Sequence, residues 1–178
     1  MKHNYVIQQG ELIFRPITEL DIENMRQWRN KEGIRQSFIY QEHISVEQQE
    51  QWYRKYIKAE NDIMFIIEYK TKPIGTVALY NIDINKREAE FGRLMIGEVE
   101  TRGLGIGQIA AKTMCEFGFK ELNLDRIILE VFKDNDYAIR AYEKAGFRSL
   151  GERDIRGRTL EIMYLDKEES IKSDVNKV

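Results

Sequence analysis

The stretch Thr101-Arg102-Gly103-Leu104-Gly105-Ile106-Gly107-Gln108-Ile109-Ala110 decides how the rest of the chain is read. An apolar, strand-like run, Leu94-Met95-Ile96, leads into it, and a helix-like run leads out. Glycines at alternate positions leave the backbone bare, so a ligand can approach its N–H groups closely. A helix beginning at about Ile106 points its first unpaired N–H groups back at the same spot, and its dipole adds positive potential there. Those are the requirements for holding a phosphate or pyrophosphate. A tight turn that needs glycine only for its φ angles is the plainer reading of the same residues.

Working outward, Ile106, Ile109, Ala110, Thr113, Met114 and Phe117 line one face of the helix that follows the loop. Arg126 to Phe132 is a strand, and Asn135 or Asp136 caps a helix that Gly146 closes just past its C-cap. Phe147–Asp154 and Thr159–Leu165 form a hairpin around Arg156-Gly157-Arg158. Upstream, Ile63–Tyr69, Ile74–Ile82 and Glu88–Ile96 read as an antiparallel meander with turns at Thr71-Lys72-Pro73 and Asp83-Ile84-Asn85-Lys86. Nearer the start, Leu12–Ile17 is a strand. Thr18 with Asp21 opens a helix carrying Leu20, Ile22, Met25 and Trp28, and Ser45 with Gln48 caps another with Gln49, Trp52, Tyr53, Tyr56 and Ile57 along one stripe. Gly33 to Tyr40 is an irregular, aromatic-bearing connection. The order β-α-α-β-β-β-α-β-α-β-β predicts an α/β (α+β) single layered domain with a mixed, largely antiparallel central sheet and helices on both faces. It spans residues 1–165, with a charged tail over 166–178.

Composition narrows the function. With 42% hydrophobic residues, 33% charged residues and two prolines, the 178-residue chain is globular rather than disordered. Lys+Arg 28 against Asp+Glu 30 gives a formal charge of −2, without the basic excess expected of a nucleic-acid binder. The single cysteine, Cys115, excludes an intrachain disulfide and reads as a small buried filler. The two histidines, His3 and His43, are too few and too far apart in sequence to predict a metal site. No run reaches membrane-spanning length and no leader is evident, so the cytoplasm is the default location.

Gly105-x-Gly107-x-x-Ala110, with Glu130 downstream, also fits a dinucleotide fingerprint. That motif normally opens a run of βαβ units, whereas here antiparallel strands precede it and little chain remains for a substrate domain. Arg102-x-x-Gly105-x-Gly107 instead resembles the acetyl-CoA pyrophosphate loop of the GNAT superfamily of N-acetyltransferases. Glu130-Val131-Phe132-Lys133-Asp134-Asn135, Ala138, Tyr142 and Gly146-Phe147 resemble the second half of that pattern, in the right order. Arg15-Pro16 before a helix resembles the ribosomal-protein N-acetyltransferase branch. The resemblance runs from about Leu12 to Leu165. The link from the Glu90-Phe91-Gly92 strand to Arg102 departs from it, being longer than usual and lacking the common proline.

The resemblance implies acetyl-CoA as co-substrate, held by Arg102, Gly103, Leu104, Gly105, Ile106, Gly107 and Gln108. It also implies backbone contacts from Leu94, Met95 and Ile96 to the pantetheine arm, and a cofactor-facing Asn135. Tyr142 is implied as the acid for the departing thiolate; a phenol of pKa ~10 keeps its proton at neutral pH. A half-buried core tyrosine and a plain helix cap are the alternatives for Tyr142 and Asn135. An amine must be neutral to attack a thioester, so a base is useful. Glu90 is the candidate, with Glu88 or water as alternatives; apolar neighbours on its strand face would raise its pKa. Trp28, Arg29 and Phe38 are the candidate acceptor residues, Trp28 otherwise being core and Arg29 a surface charge. Trp28-Arg29-Asn30 with Glu90-Phe91-Gly92 resembles the branch that acetylates nucleotide-linked amino sugars, which makes such a sugar the leading acceptor. A protein N-terminal α-amine and a polyamine follow, and a non-catalytic acyl-CoA sensor is the alternative of another class. The expected partner is a small-molecule amine, without nucleic acid or membrane; a homodimer is an open option.

Overall fold

The computed structural model describes residues 2–101 and 103–170, so Arg102 and the end of the predicted tail lie outside the described residues. Its strands are β1 (Ile7–Gln9), β2 (Leu12–Pro16), β3 (Asp62–Tyr69), β4 (Lys72–Asp83), β5 (Glu88–Ile96), β6 (Arg126–Phe132), β7 (Arg148–Ile155) and β8 (Arg158–Asp166). The helices are α1 (Ile22–Asn30), α2 (Glu32–Arg35), α3 (Val46–Tyr56), α4 (Ile106–Lys120) and α5 (Asp136–Lys144). Hydrogen-bonded neighbours run β1-β2-β3-β4-β5-β6-β8-β7, in one mixed sheet. Pairs β1–β2, β2–β3, β6–β8 and β7–β8 are antiparallel, and β5–β6 is parallel. The chain divides into two compact units, Met1–Ala78 with Arg93–Ile106, and Leu79–Gly92 with Gly107–Val178. No helix among the described residues is long and apolar enough to cross a membrane.

In the first unit, Ile63 through Ile67 are buried along β3, as a continuous apolar run requires. At the end of β2 the Arg15 guanidinium forks onto Asp21 at 2.8 Å through both terminal nitrogens, and its Nε donates to Glu68 at 2.7 Å. Asp21 also accepts from the Thr18 amide and hydroxyl, completing the capping box. Burial acts to raise the Asp21 pKa, but the bonds from Arg15 and Thr18 outweigh it and hold the carboxyl below its usual range. One expectation fails here. Residues Glu19–Asp21 form a 3-10 turn rather than the first α-helical turn, which leaves Leu20 90% exposed and turns Asp21 inward.

In the second unit, α4 is buried on more than the expected stripe, with Ala111, Cys115 and Phe119 inside as well. A Cβ at Gly118 would lie 2.9 Å from Ile127 and 3.1 Å from Leu79, so this glycine lets the helix press close to the strands. Burial pushes the Cys115 thiol pKa up, as befits an inert filler. The two-residue turn joining β7 to β8 has positive φ at Arg156 and Gly157 (51° and 79°), the backbone of a tight hairpin.

Candidate active site

The glycine loop before α4 follows a 3-10 turn, Val99–Thr101, whose last residue is buried and whose hydroxyl donates to the Glu98 carbonyl at 2.8 Å. Gly103 and Gly105 have φ of 82° and 70°, and nothing lies within 4 Å of a Cβ placed on either. The glycines therefore supply left-handed backbone and open space together. Helix α4 begins at Ile106 with no acidic residue in its first turn, so its positive end is not neutralised from within. Leu104 and Gln108 are exposed, and Gly107 lies in the helix. The parallel ladder of β5 with β6 runs from Glu88 to Glu90, while β5 continues through Leu94 and Met95 to Ile96.

Tyr142 is positioned by the way α5 ends. Gly146, at φ 104°, donates its amide to the Glu143 carbonyl, and the Phe147 amide donates to the Tyr142 carbonyl. These two bonds form the Schellman pair, and the accompanying apolar contact is Tyr142 against Phe147, with ring centroids 6.0 Å apart. Phe91 meets the Tyr142 ring edge-on at 5.7 Å. Burial, and secondarily Tyr80, push the phenol pKa well up, so the hydroxyl keeps its proton throughout the neutral range. At the other end of α5, Asn135 is the N-cap, its Oδ1 accepting from the Ala138 amide at 3.2 Å. Glu90 does not sit in purely apolar surroundings: the Asn81 amide donates to its Oε1 at 2.9 Å.

The acceptor candidates separate. Trp28 is 3% exposed and lies under Gly97, where a Cβ would fall 2.1 Å from the indole, while its Nε1 donates to Glu98 at 2.7 Å. It is an anchor for α1. Asn30 clamps the irregular connection, accepting from the Ile44 amide at 2.8 Å and donating to the Ile44 carbonyl at 2.9 Å. Between them Arg29 turns inward. It is 9% exposed, so it is not the surface charge that arginine usually is. Its Nη2 donates to the Tyr40 carbonyl, and its guanidinium lies 3.9 Å over the Phe38 ring. Arg29 and Phe38 line a cavity of about 420 Å³ in the first unit, together with Met25, Tyr40 and Ile44.

Sequence reasoning missed the rest of that wall. Gln48, Gln49 and Trp52 come from α3, and Met64, Thr76, Arg93 and Met95 from the three strands behind it. The sequence sets Trp52 on one helix stripe with Gln49, and the spacing of Gln48, Gln49 and Trp52 on one helix face is a signal for a shared wall. Arg93 is paired with Asp62, to which its Nη1 donates at 2.7 and 2.8 Å.

A family model described as an acetyltransferase (GNAT) domain matches residues 11–148. The chain belongs to this family and is an acetyl-CoA-dependent N-acetyltransferase. The spermidine N(1)-acetyltransferase of Escherichia coli K12 is 30% identical over 138 residues, covering 78% of this chain and 73% of that protein. Acetyltransferase PseH of Campylobacter jejuni is 27% identical over 134 residues, covering 75% and 81%. The crystal structure of spermidine N-acetyltransferase from Vibrio cholerae with CoA and spermine superposes with a TM-score of 0.83 at 25% identity, covering 92% of this chain and 99% of that one. The residues present suit acetyl-CoA as co-substrate, because the bare loop at Gly103 and Gly105 leaves room for a diphosphate against main-chain amides.

Proposed function

We propose that the protein acetylates a small primary amine by direct attack, with the co-substrate diphosphate held by the Gly103–Gln108 backbone and the acceptor in the cavity lined by Arg29 and Phe38. Acetyl-CoA, when bound, supplies the thioester; the chain supplies positioning and a proton. Tyr142 gives its proton to the departing sulfur, a role supported by a phenol that burial keeps protonated. Backbone of β5 at Leu94, Met95 and Ile96, beyond the end of its ladder with β6, offers hydrogen bonds to the pantetheine arm by strand addition. Asn135 keeps its amide nitrogen for the co-substrate while its oxygen caps α5. Glu90 relays a proton from the amine through water, its carboxylate oriented by Asn81.

The observation that carries the reading is the pair of left-handed, side-chain-free glycines immediately before α4. Calorimetric titration of Gly105→Val with acetyl-CoA tests it. The expected result is a loss of affinity of about a hundredfold or more, roughly 2.7 kcal/mol, with the folded state retained. Wild-type affinity in the variant would mean that the diphosphate is held elsewhere.

For the acceptor, the spermidine and spermine in the names of the similar proteins support the polyamine alternative over the nucleotide-linked amino sugar. Against a polyamine stands the cavity itself, whose described lining holds two arginines and no carboxylate. Thiol release across a panel of amines separates the two.

A further inference from the structure

Arg29 breaks the rule that buried charges are paired. Elsewhere Arg15 is matched by Asp21 and Glu68, Arg93 by Asp62, and Arg126 by Asp166. Arg29 has no carboxylate partner among the described residues; a backbone carbonyl takes its Nη2, and its Nη1 is buried with no hydrogen-bond partner. Burial, and then the charge of Arg35, push its pKa down, so the site as built works against its own cation. Gln49 lines the same cavity at 7% exposure. Two polar side chains, each more than nine-tenths buried, thus line one cavity whose other walls are largely aromatic and methionine, and one of them, Arg29, holds a spare donor. An unpaired buried donor of this kind is costly, and most costly when it is charged.

We propose that the missing counter-ion is part of the acceptor: a small amine that also carries a carboxylate or phosphate, whose oxygens take hydrogen bonds from Arg29 Nη1 and the Gln49 amide. Its apolar part lies against Phe38, Trp52 and Met64. A charged oxyanion receives shorter, stronger bonds from a guanidinium than a neutral group does. A polyamine in the same place would bring further positive charge toward Arg29, whose own charge is offset by no carboxylate among the described residues, in a setting where like charges repel. The inference rests on reading this cavity as the acceptor site. It separates this chain from the spermidine acetyltransferases it resembles.

Two matched pairs test it, methionine with methionine amide and 2-aminoethyl phosphate with ethanolamine, each applied to wild type, Arg29→Gln and Arg29→Lys. Thermal shift reads binding without turnover, and thiol release with the same amines and spermidine reads catalysis. The anionic member of at least one pair raises the melting temperature of wild type and its neutral partner does not. The shift is lost in Arg29→Gln and partly kept in Arg29→Lys, whereas an anion bound at the co-substrate loop would shift all three proteins alike. The pair that responds identifies the group as carboxylate or phosphate. In thiol release, the anionic amine exceeds its neutral partner by tenfold or more in kcat/KM, mainly through KM, and Arg29→Gln erases that preference while acetyl-CoA affinity holds. Spermidine used better than either anionic amine, no response from either pair, or a preference that survives Arg29→Gln overturns the proposal. Failure of the transfer reading looks different: no thiol release with any amine, while the Arg29-dependent thermal shift persists and supports the anion site.

Discussion

Two arginines in the first unit, fourteen residues apart, make opposite uses of burial. Arg15 is satisfied by Asp21, Glu68 and the Pro16 carbonyl, and in return it fixes the corner where β2 turns into α1. Arg29 is deeper, lines a cavity and keeps a terminal nitrogen unpartnered. Paired charge holds the fold in place, whereas unpaired charge lowers stability in exchange for something the fold does not itself need. Tyr142 extends the contrast to the second unit: its ring is fixed by Phe91 and Phe147, while its hydroxyl donates to no described residue.

The largest expected difference is in stability. Arg15→Met leaves the buried Asp21 carboxylate without its fork and should cost about 3 kcal/mol, on the order of 10 °C in melting temperature. Arg29→Met removes an uncompensated cation and should leave the melting temperature level or raise it. Calorimetric melting of the two variants side by side would break the comparison if both fell equally.

Next comes Tyr142→Phe, which keeps the ring contacts and removes the hydroxyl. If proton donation limits the rate, kcat falls roughly ten- to a hundredfold, or about 1.4–2.7 kcal/mol, with acetyl-CoA affinity little changed. Steady-state kinetics that left kcat untouched would reassign Tyr142 to the core.

Smaller again is Asn30→Ala. It frees Ile44 from two hydrogen bonds and should cost about 1–2 kcal/mol of stability, with a several-fold rise in acceptor KM as the cavity wall loosens. An unchanged KM in initial-rate measurements would show that the wall is held by other contacts.

The gentlest test is pH. Asp21 has a folded pKa below the ordinary aspartate value of 3.8, so its contribution is complete above that value and is lost as pH falls through the folded value. In wild type this loss sets in within the usual carboxylate range and continues below it; in Arg15→Met it is largely absent, so the stability gap between the proteins should narrow on acidification. Denaturant midpoints at a series of pH values measure the gap. A gap that widened would put the stabilising carboxylate elsewhere.

Much of the fold was legible because its signals are local. Ser45 with Gln48, Asn135 and Gly146 each announce a helix end through a bond formed within a few residues, and the limits of β6 and α4 follow from apolar runs bounded by turns. Strand β1 went unread because its three residues carry little apolar signal and form an edge. Leu20 misled because helical spacing says nothing about whether the first turn is 3-10. The left-handed turn at Gly103 and Gly105 and the start of α4 were legible for the same local reason. The cavity was not: its wall is assembled from α1, the irregular connection, α3 and three strands, and its key residue is of a type that spacing alone assigns to solvent. Trp28 and Arg29 are adjacent in sequence, yet one anchors the helix and the other opens onto the cavity, a division that only packing decides.

The most direct test of the account measures Arg29→Met against wild type in one preparation, taking the melting temperature together with KM for whichever panel amine releases thiol fastest. The expected result is a melting temperature no lower than wild type and a KM raised about tenfold or more. A melting temperature that falls as far as in Arg15→Met, with KM unmoved, would make Arg29 a structural arginine and contradict it.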